Sequence, residues 1–237
     1  MFLSALPMGF YIDPYFFYLI VPALLLSLLS QMFVKSTFAR YNQVNASSGI
    51  TAEQAARRIL DLNGCSNVAI ETVAGNLTDN YDPRTGVLHL SQVTYSSTSV
   101  AALGVAAHEA GHAVQHANGY LPNRIRSALV PVAGIGSSAG PFLAFFGIIL
   151  SIPILTQIGI LLFAAAVLFY VVTLPVEFNA SKRAIEILGQ TGMLEPEELR
   201  GARRVLTAAA MTYIASTLVA FASLLRLILL SRGNRRR

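Results

Sequence analysis

Residues 127–175 contain no charged side chain, and that run constrains the chain more than any other feature. A hydrocarbon core roughly 30 Å thick is crossed by about 20 apolar residues in a helix. Inside lipid a backbone must satisfy its own hydrogen bonds, so a run this long reads as two membrane helices joined by a tight turn. Ser151 and Pro153, in "SIPILTQ", mark the turn. Residues 15–34 (YFFYLIVPALLLSLLSQMFV) are another uncharged stretch of spanning length. A fourth apolar segment, from about Val205 to Leu230, is interrupted by Arg226. Only 12% of the residues are charged, about half the share of a soluble domain. The chain is expected to be an integral membrane protein with three to four transmembrane helices.

Charge placement gives an orientation. No Lys or Arg precedes the first apolar run, so it lacks the positive start of a cleavable signal and reads as an anchor. Lys35 and Arg40 follow it, Arg124 and Arg126 precede the second span, and Lys182 and Arg183 follow the third. By the positive-inside rule the N-terminus lies outside and residues 35–126 face the cytoplasm. The net charge of +5 is concentrated at these span ends, which points to anionic headgroups and not to nucleic acid. A single cysteine, Cys65, excludes an internal disulfide and reads as structural.

Between the first two spans lies enough chain for a small domain. "TAEQAARRILDLNG" reads as an amphipathic helix with a capping box, Thr51 and Gln54, and Gly64 as its stop. "NVAIETVAG" alternates like a strand, and "NLTDNYDPRTGVLHLS" reads as two strands around a Pro-Arg-Thr-Gly turn. A helix over about 98–118 follows, with Ser96, Ser97 or Thr98 as candidate cap and Gly119 as its end.

That last helix carries "VAAHEAGHAVQH". His108 and His112, four residues apart, share one helix face. Two imidazole nitrogens at that spacing can meet one Zn²⁺. Glu109 is turned beside the metal and not onto it, where it can take a proton from activated water and return it to a leaving amine. Ala107, Ala110, Gly111 and Ala113 let neighbouring chain approach closely. Packing alone does not account for the set, because an unpaired buried glutamate is costly. His116 lies about 12 Å along the axis from His108, so the two cannot share an ion; it reads as a polar residue at the helix end. His89, in the apolar strand "GVLHLS", is likewise not expected to ligate.

A two-histidine site still lacks a third protein ligand. Glu177 is the only acidic residue between Glu109 and Glu186, and it sits at the membrane boundary. One alternative is a surface charge neutralising Lys182 or Arg183; the favoured reading is the third ligand. The organisation is then an N-terminal anchor (1–35), a cytoplasmic core with the histidine helix (36–126) and a transmembrane hairpin (127–175). A helix carrying the third ligand (176–204) and a C-terminal apolar helix with a basic tail (205–237) complete it. Gly136 and Gly140 form a Gly-x-x-x-Gly pair, read as packing within the bundle.

In "DNYDPRTGVLHLS", "AAHEAGHAVQ", "LPVEFNASKRA" and "LTAAAMTYIA" the chain resembles the membrane-embedded neutral zinc metallopeptidases of the YugP type. More distantly, "EFNASKRA" is similar to the Glu-x-x-Ala-Asp segment of HtpX-like and CAAX prenyl proteases, whose Glu is the third zinc ligand. That carries over onto Glu177, whereas Ser181 stands where the Asp would be. The resemblance implies an α+β membrane protein, with a small zincin-like, gluzincin-type core of helix and β-hairpin, one Zn²⁺ per chain, and an active site at the cytoplasmic membrane face. It also implies that "GVLHLS" is an edge strand beside the site helix, able to pair with an extended protein or peptide substrate. Tyr213 is a candidate oxyanion donor. Competing readings are an intramembrane site-2-type protease, against which residues 127–175 lack the needed Asp, and a non-catalytic zinc scaffold, against which stands Glu109.

Overall fold

The computed structural model describes residues 13–234. The first residues of the anchor and the basic residues Arg235–Arg237 lie outside them. The described chain is mostly helical with one small sheet, and it divides into two units. One comprises residues 32–124 and 174–211, the other residues 13–31, 125–173 and 212–234.

The first helix, α1 (Val21–Tyr41), follows a π-helical turn at Phe16–Ile20. In the unit that holds the histidines, α2 (Ala52–Leu62) begins where the sequence signals it. The Thr51 hydroxyl accepts from the Gln54 amide at 3.2 Å, and the Gln54 side chain accepts from the Thr51 amide at 3.0 Å. These bonds satisfy donors that a helix start otherwise leaves bare. One face of α2 is wholly apolar and buried, through Ala52, Ala55, Ala56, Ile59 and Leu60. Three strands follow: β1 (Ala69–Val73), β2 (Asn80–Asp82) and β3 (Val87–Ser91). The β2–β3 hairpin turns through Gly86 at φ 70°, a conformation glycine adopts without strain.

The strand order is β1-β3-β2, with β3 parallel to β1 and antiparallel to β2. This corrects the expectation that "GVLHLS" forms an edge. Leu88 and Leu90 on β3 are fully buried, and a strand so apolar gains most in the middle, paired on both sides. The edge toward the hairpin is β2.

A short helix, α3 (Gln92–Tyr95), comes before the histidine helix α4 (Val100–Ala117). Its cap is Ser99, whose Oγ accepts from the Ala102 amide at 3.1 Å, and not Ser96, Ser97 or Thr98. The turn of α3 uses those residues for other bonds: the carbonyls of Ser97 and Thr98 accept from Ala52 and Ala46. Gly119 ends α4 at φ 62°. Leu103, Ala106, Ala110 and Val114 of α4 form the core with Ile59, Leu88, Leu188 and Ala202. Each fully buried Leu or Ile contributes about 1.5–3 kcal/mol. α4 also meets residues 174–190 closely: a Cβ added at Gly111 would lie 3.1 Å from the Ala180 carbonyl oxygen. The small residue sets that separation.

The other unit is built from apolar stretches of α1, α5 (Leu121–Ile149), α6 (Pro153–Gln190) and α7 (Pro196–Asn234). Among the described residues, four helices are long and apolar enough to cross a membrane. The turn between α5 and α6 falls at Ser151, which takes a positive φ of 55°. Gly136 and Gly140 face α6, where a Cβ would collide with the Leu162 carbonyl and with Phe163. The glycine pair thus serves packing within the hairpin. Arg226 does not interrupt α7: its guanidinium pairs with Asp13 (Nε to Oδ2 2.8 Å), and both side chains are largely buried. An apolar segment tolerates an arginine with such a partner.

Candidate metal centre

α4 offers two imidazoles one helical turn apart, and α6 offers a carboxylate between them. His108 Nε2 lies 3.1 Å from His112 Nε2. Glu177 Oε2 lies 3.2 Å from the first nitrogen and 3.6 Å from the second. Donor atoms held about 2.0–2.1 Å from one tetrahedral Zn²⁺ stand about 3.3–3.4 Å apart. The three observed separations bracket that figure, so the donor set fits the ion in type and in spacing. Among the described residues this is the group of His, Cys, Asp and Glu side chains able to hold a metal.

The donors are aimed as well as gathered. His108 Nδ1 is 3.1 Å from Ser181 Oγ, and His112 Nδ1 is 3.0 Å from Gln115 Oε1. An amide oxygen only accepts, so His112 carries its proton on Nδ1 and turns the Nε2 lone pair inward. The hydroxyl of Ser181 does the same for His108 when it accepts. Gln115 is itself fully buried. Its amide nitrogen donates to the Val176 carbonyl and to Asn179 Oδ1, both at 2.9 Å, and Asn179 Oδ1 accepts from Arg183 Nε. Arg183 is thereby tied to Asn179.

Glu109 is not among the three donors: its Oε2 accepts from the Tyr81 amide of β2 at 3.1 Å. Burial pushes its carboxyl up from the usual carboxylate range, opposed by the nearby His108 and His112.

His116 is turned away from this cluster. Its Nδ1 is 2.9 Å from the Tyr81 hydroxyl. His89 sits on the central strand, with a buried Nδ1 that lacks a hydrogen-bond partner. Tyr213 is half-exposed, and its carbonyl accepts from Thr217.

With this geometry in view, comparison with known proteins is decisive. The family model described as "Putative neutral zinc metallopeptidase" matches residues 16–232. The chain belongs to that family. A Bacillus subtilis (strain 168) protein named "Putative membrane protease YugP" is 44% identical over 220 residues, covering 93% of this chain and 98% of that protein. No solved structure matches. For this metallopeptidase-family chain, the residue reading missed Gln115 and the Tyr81 amide. Gln115 had a signal, since it stands three residues after His112 on the same helix face. Ser181 stands four after Glu177 on α6 in the same way. A backbone amide donating from β2 leaves no trace in residue identity.

Proposed function

We propose that the protein is a zinc-dependent endopeptidase that hydrolyses peptide bonds of membrane-associated proteins at the cytoplasmic face of the bilayer. The observation that carries this is the convergence of His108, His112 and Glu177 within ligand spacing, with Glu109 beside them and not among them. The three donors would hold one Zn²⁺ per chain. When bound, zinc supplies a Lewis acid that lowers the pKa of water and polarises a carbonyl.

The protein's own groups do the rest. Glu109, kept more basic than an exposed carboxylate by its burial, takes the proton from the attacking water and hands it to the leaving amine. Ser181 and Gln115 hold the imidazoles in the required tautomer. An extended substrate pairs along the outer edge of β2, whose Tyr81 amide faces Glu109. The cytoplasmic assignment rests on Lys35, Arg40, Arg124, Arg126, Lys182 and Arg183, all at span ends. A purely structural zinc site has no use for Glu109, which favours catalysis over a scaffold.

Glu109→Gln is the test. The purified variant retains zinc, because the ligands survive, and loses peptide hydrolysis, because the base is gone. A zinc-loaded Glu109→Gln protein that cleaves as fast as the parent refutes the assignment.

A further inference from the structure

Within the unit that carries the metal centre, a cavity of about 430 Å³ lies between residues 178–186 of α6 and 203–210 of α7. Its volume falls in the range of small-molecule sites, about 300–1,000 Å³. Phe178, Ile185, Leu206 and Ala210 make its apolar wall, and Lys182 and Arg203 stand at it with cationic ends. Phe178 is 46% exposed, a large ring left open beside the cavity. Glu186 also lines it, 3.8 Å from Lys182, a loose and exposed pair worth little. Arg203 is exposed and has no ion pair among the described residues. The wall therefore has net positive charge over an apolar floor, on two helices that continue as candidate membrane spans.

We infer that this cavity binds an anionic phospholipid, its phosphate on Arg203 and Lys182 and its acyl chain along Phe178, Ile185, Leu206 and Ala210. Basic pockets between membrane helices suit such headgroups, and a zwitterionic lipid satisfies the cations less well. Ser181 lines the same cavity and is hydrogen-bonded to His108 Nδ1. Lipid in the cavity thus touches the residue that orients a metal ligand, behind the ring and away from its Nε2. The site couples bilayer composition to the metal centre; that coupling rests on the proposed peptidase reading, whereas lipid binding does not.

The test uses the full chain in phosphatidylcholine nanodiscs doped with phosphatidylglycerol, with retained lipid counted by native mass spectrometry. The parent is expected to retain phosphatidylglycerol over phosphatidylcholine. Removing one cation, Lys182→Gln or Arg203→Gln, weakens retention roughly five-fold, and the double variant about thirty-fold, with zinc content unchanged. Glu186→Gln strengthens it. Soluble glycerol phosphate does not displace the lipid, because it lacks the chain. Ala210→Phe fills the floor and reduces retention without touching the cations. Equal retention by parent and double variant overturns the proposal. So does an altered side-chain preference in peptide cleavage with lipid retention unchanged, which would make the cavity a substrate pocket. Lipid loss in the variants upholds it even if no form of the protein cleaves peptides.

Discussion

Ser181→Ala removes one hydroxyl and leaves every donor of the metal centre in place. With zinc on Nε2, the ring proton of His108 must sit on Nδ1, where the Ser181 oxygen, 3.1 Å away, can accept it. Without it, His108 in the metal-free protein can shift its proton to Nε2 and donate to Glu177 Oε2, 3.2 Å away. Binding zinc then forces that proton back to Nδ1, where nothing accepts it and the side chain is only 12% exposed. A buried donor left unpaired costs about 1–3 kcal/mol, and the cost falls on the metal-bound state alone. The zinc Kd should therefore rise roughly 5–150-fold, in line with the effect of losing other outer partners of ligand histidines. Competition against a fluorescent zinc chelator measures it directly, with Ser181→Thr, which keeps the hydroxyl, as the control that binds like the parent. A Kd for Ser181→Ala within two-fold of the parent refutes the tautomer argument.

Other perturbations probe separate parts of the reasoning. Glu177→Ala should lose most zinc and all hydrolysis, whereas His116→Ala should keep its metal, since its ring is engaged with Tyr81; metal analysis of the two purified proteins decides between them. Gly111→Val should lower zinc occupancy as well as stability, because the Ala180 carbonyl already stands 3.1 Å from where a Cβ would sit and separating the helices withdraws Glu177. Cys65 is 1% exposed, and burial raises its thiol pKa, opposed by Arg57. The thiolate is therefore scarcer at pH 8 than in a free thiol, and alkylation of the folded protein should be slow until denaturant is added. For orientation, a cysteine at the exposed Thr85 should react with an impermeant reagent only after cells are opened, and one at Ser151 in intact cells.

How much of this was legible beforehand depends on whether the signal was local. The charge-free run, the Thr51–Gln54 box, the Gly86 and Gly119 turns and the His108–His112 spacing are all patterns within a few residues or one segment. Local sterics, helix periodicity and the cost of charge in lipid suffice to read them. Strand order is different. Alternation in "NVAIETVAG" and "GVLHLS" says which residues extend, but not that β3 pairs in parallel with β1 and lies in the centre. That arrangement depends on how the sheet lies against α2 and α4 together. The cap of α4 falls at Ser99 because α3 and the loop around Asn45–Ala52 claim the groups of Ser97 and Thr98.

The same division holds at the metal centre. The sequence alone determined that two imidazoles share a helix face with Glu109 between them, and it singled out Glu177 by the scarcity of other carboxylates. Only the tertiary structure decided that Glu177 Oε2 reaches both ring nitrogens, across 69 residues of chain. It alone engaged Ser181 and Gln115 as the groups that orient those rings, and it set β2 against Glu109. The reason is distance along the chain. Helix periodicity carries information over a turn or two, while the meeting of α4 with α6 is set by the close approach at Gly111 and Ala180 and by the shared core around it.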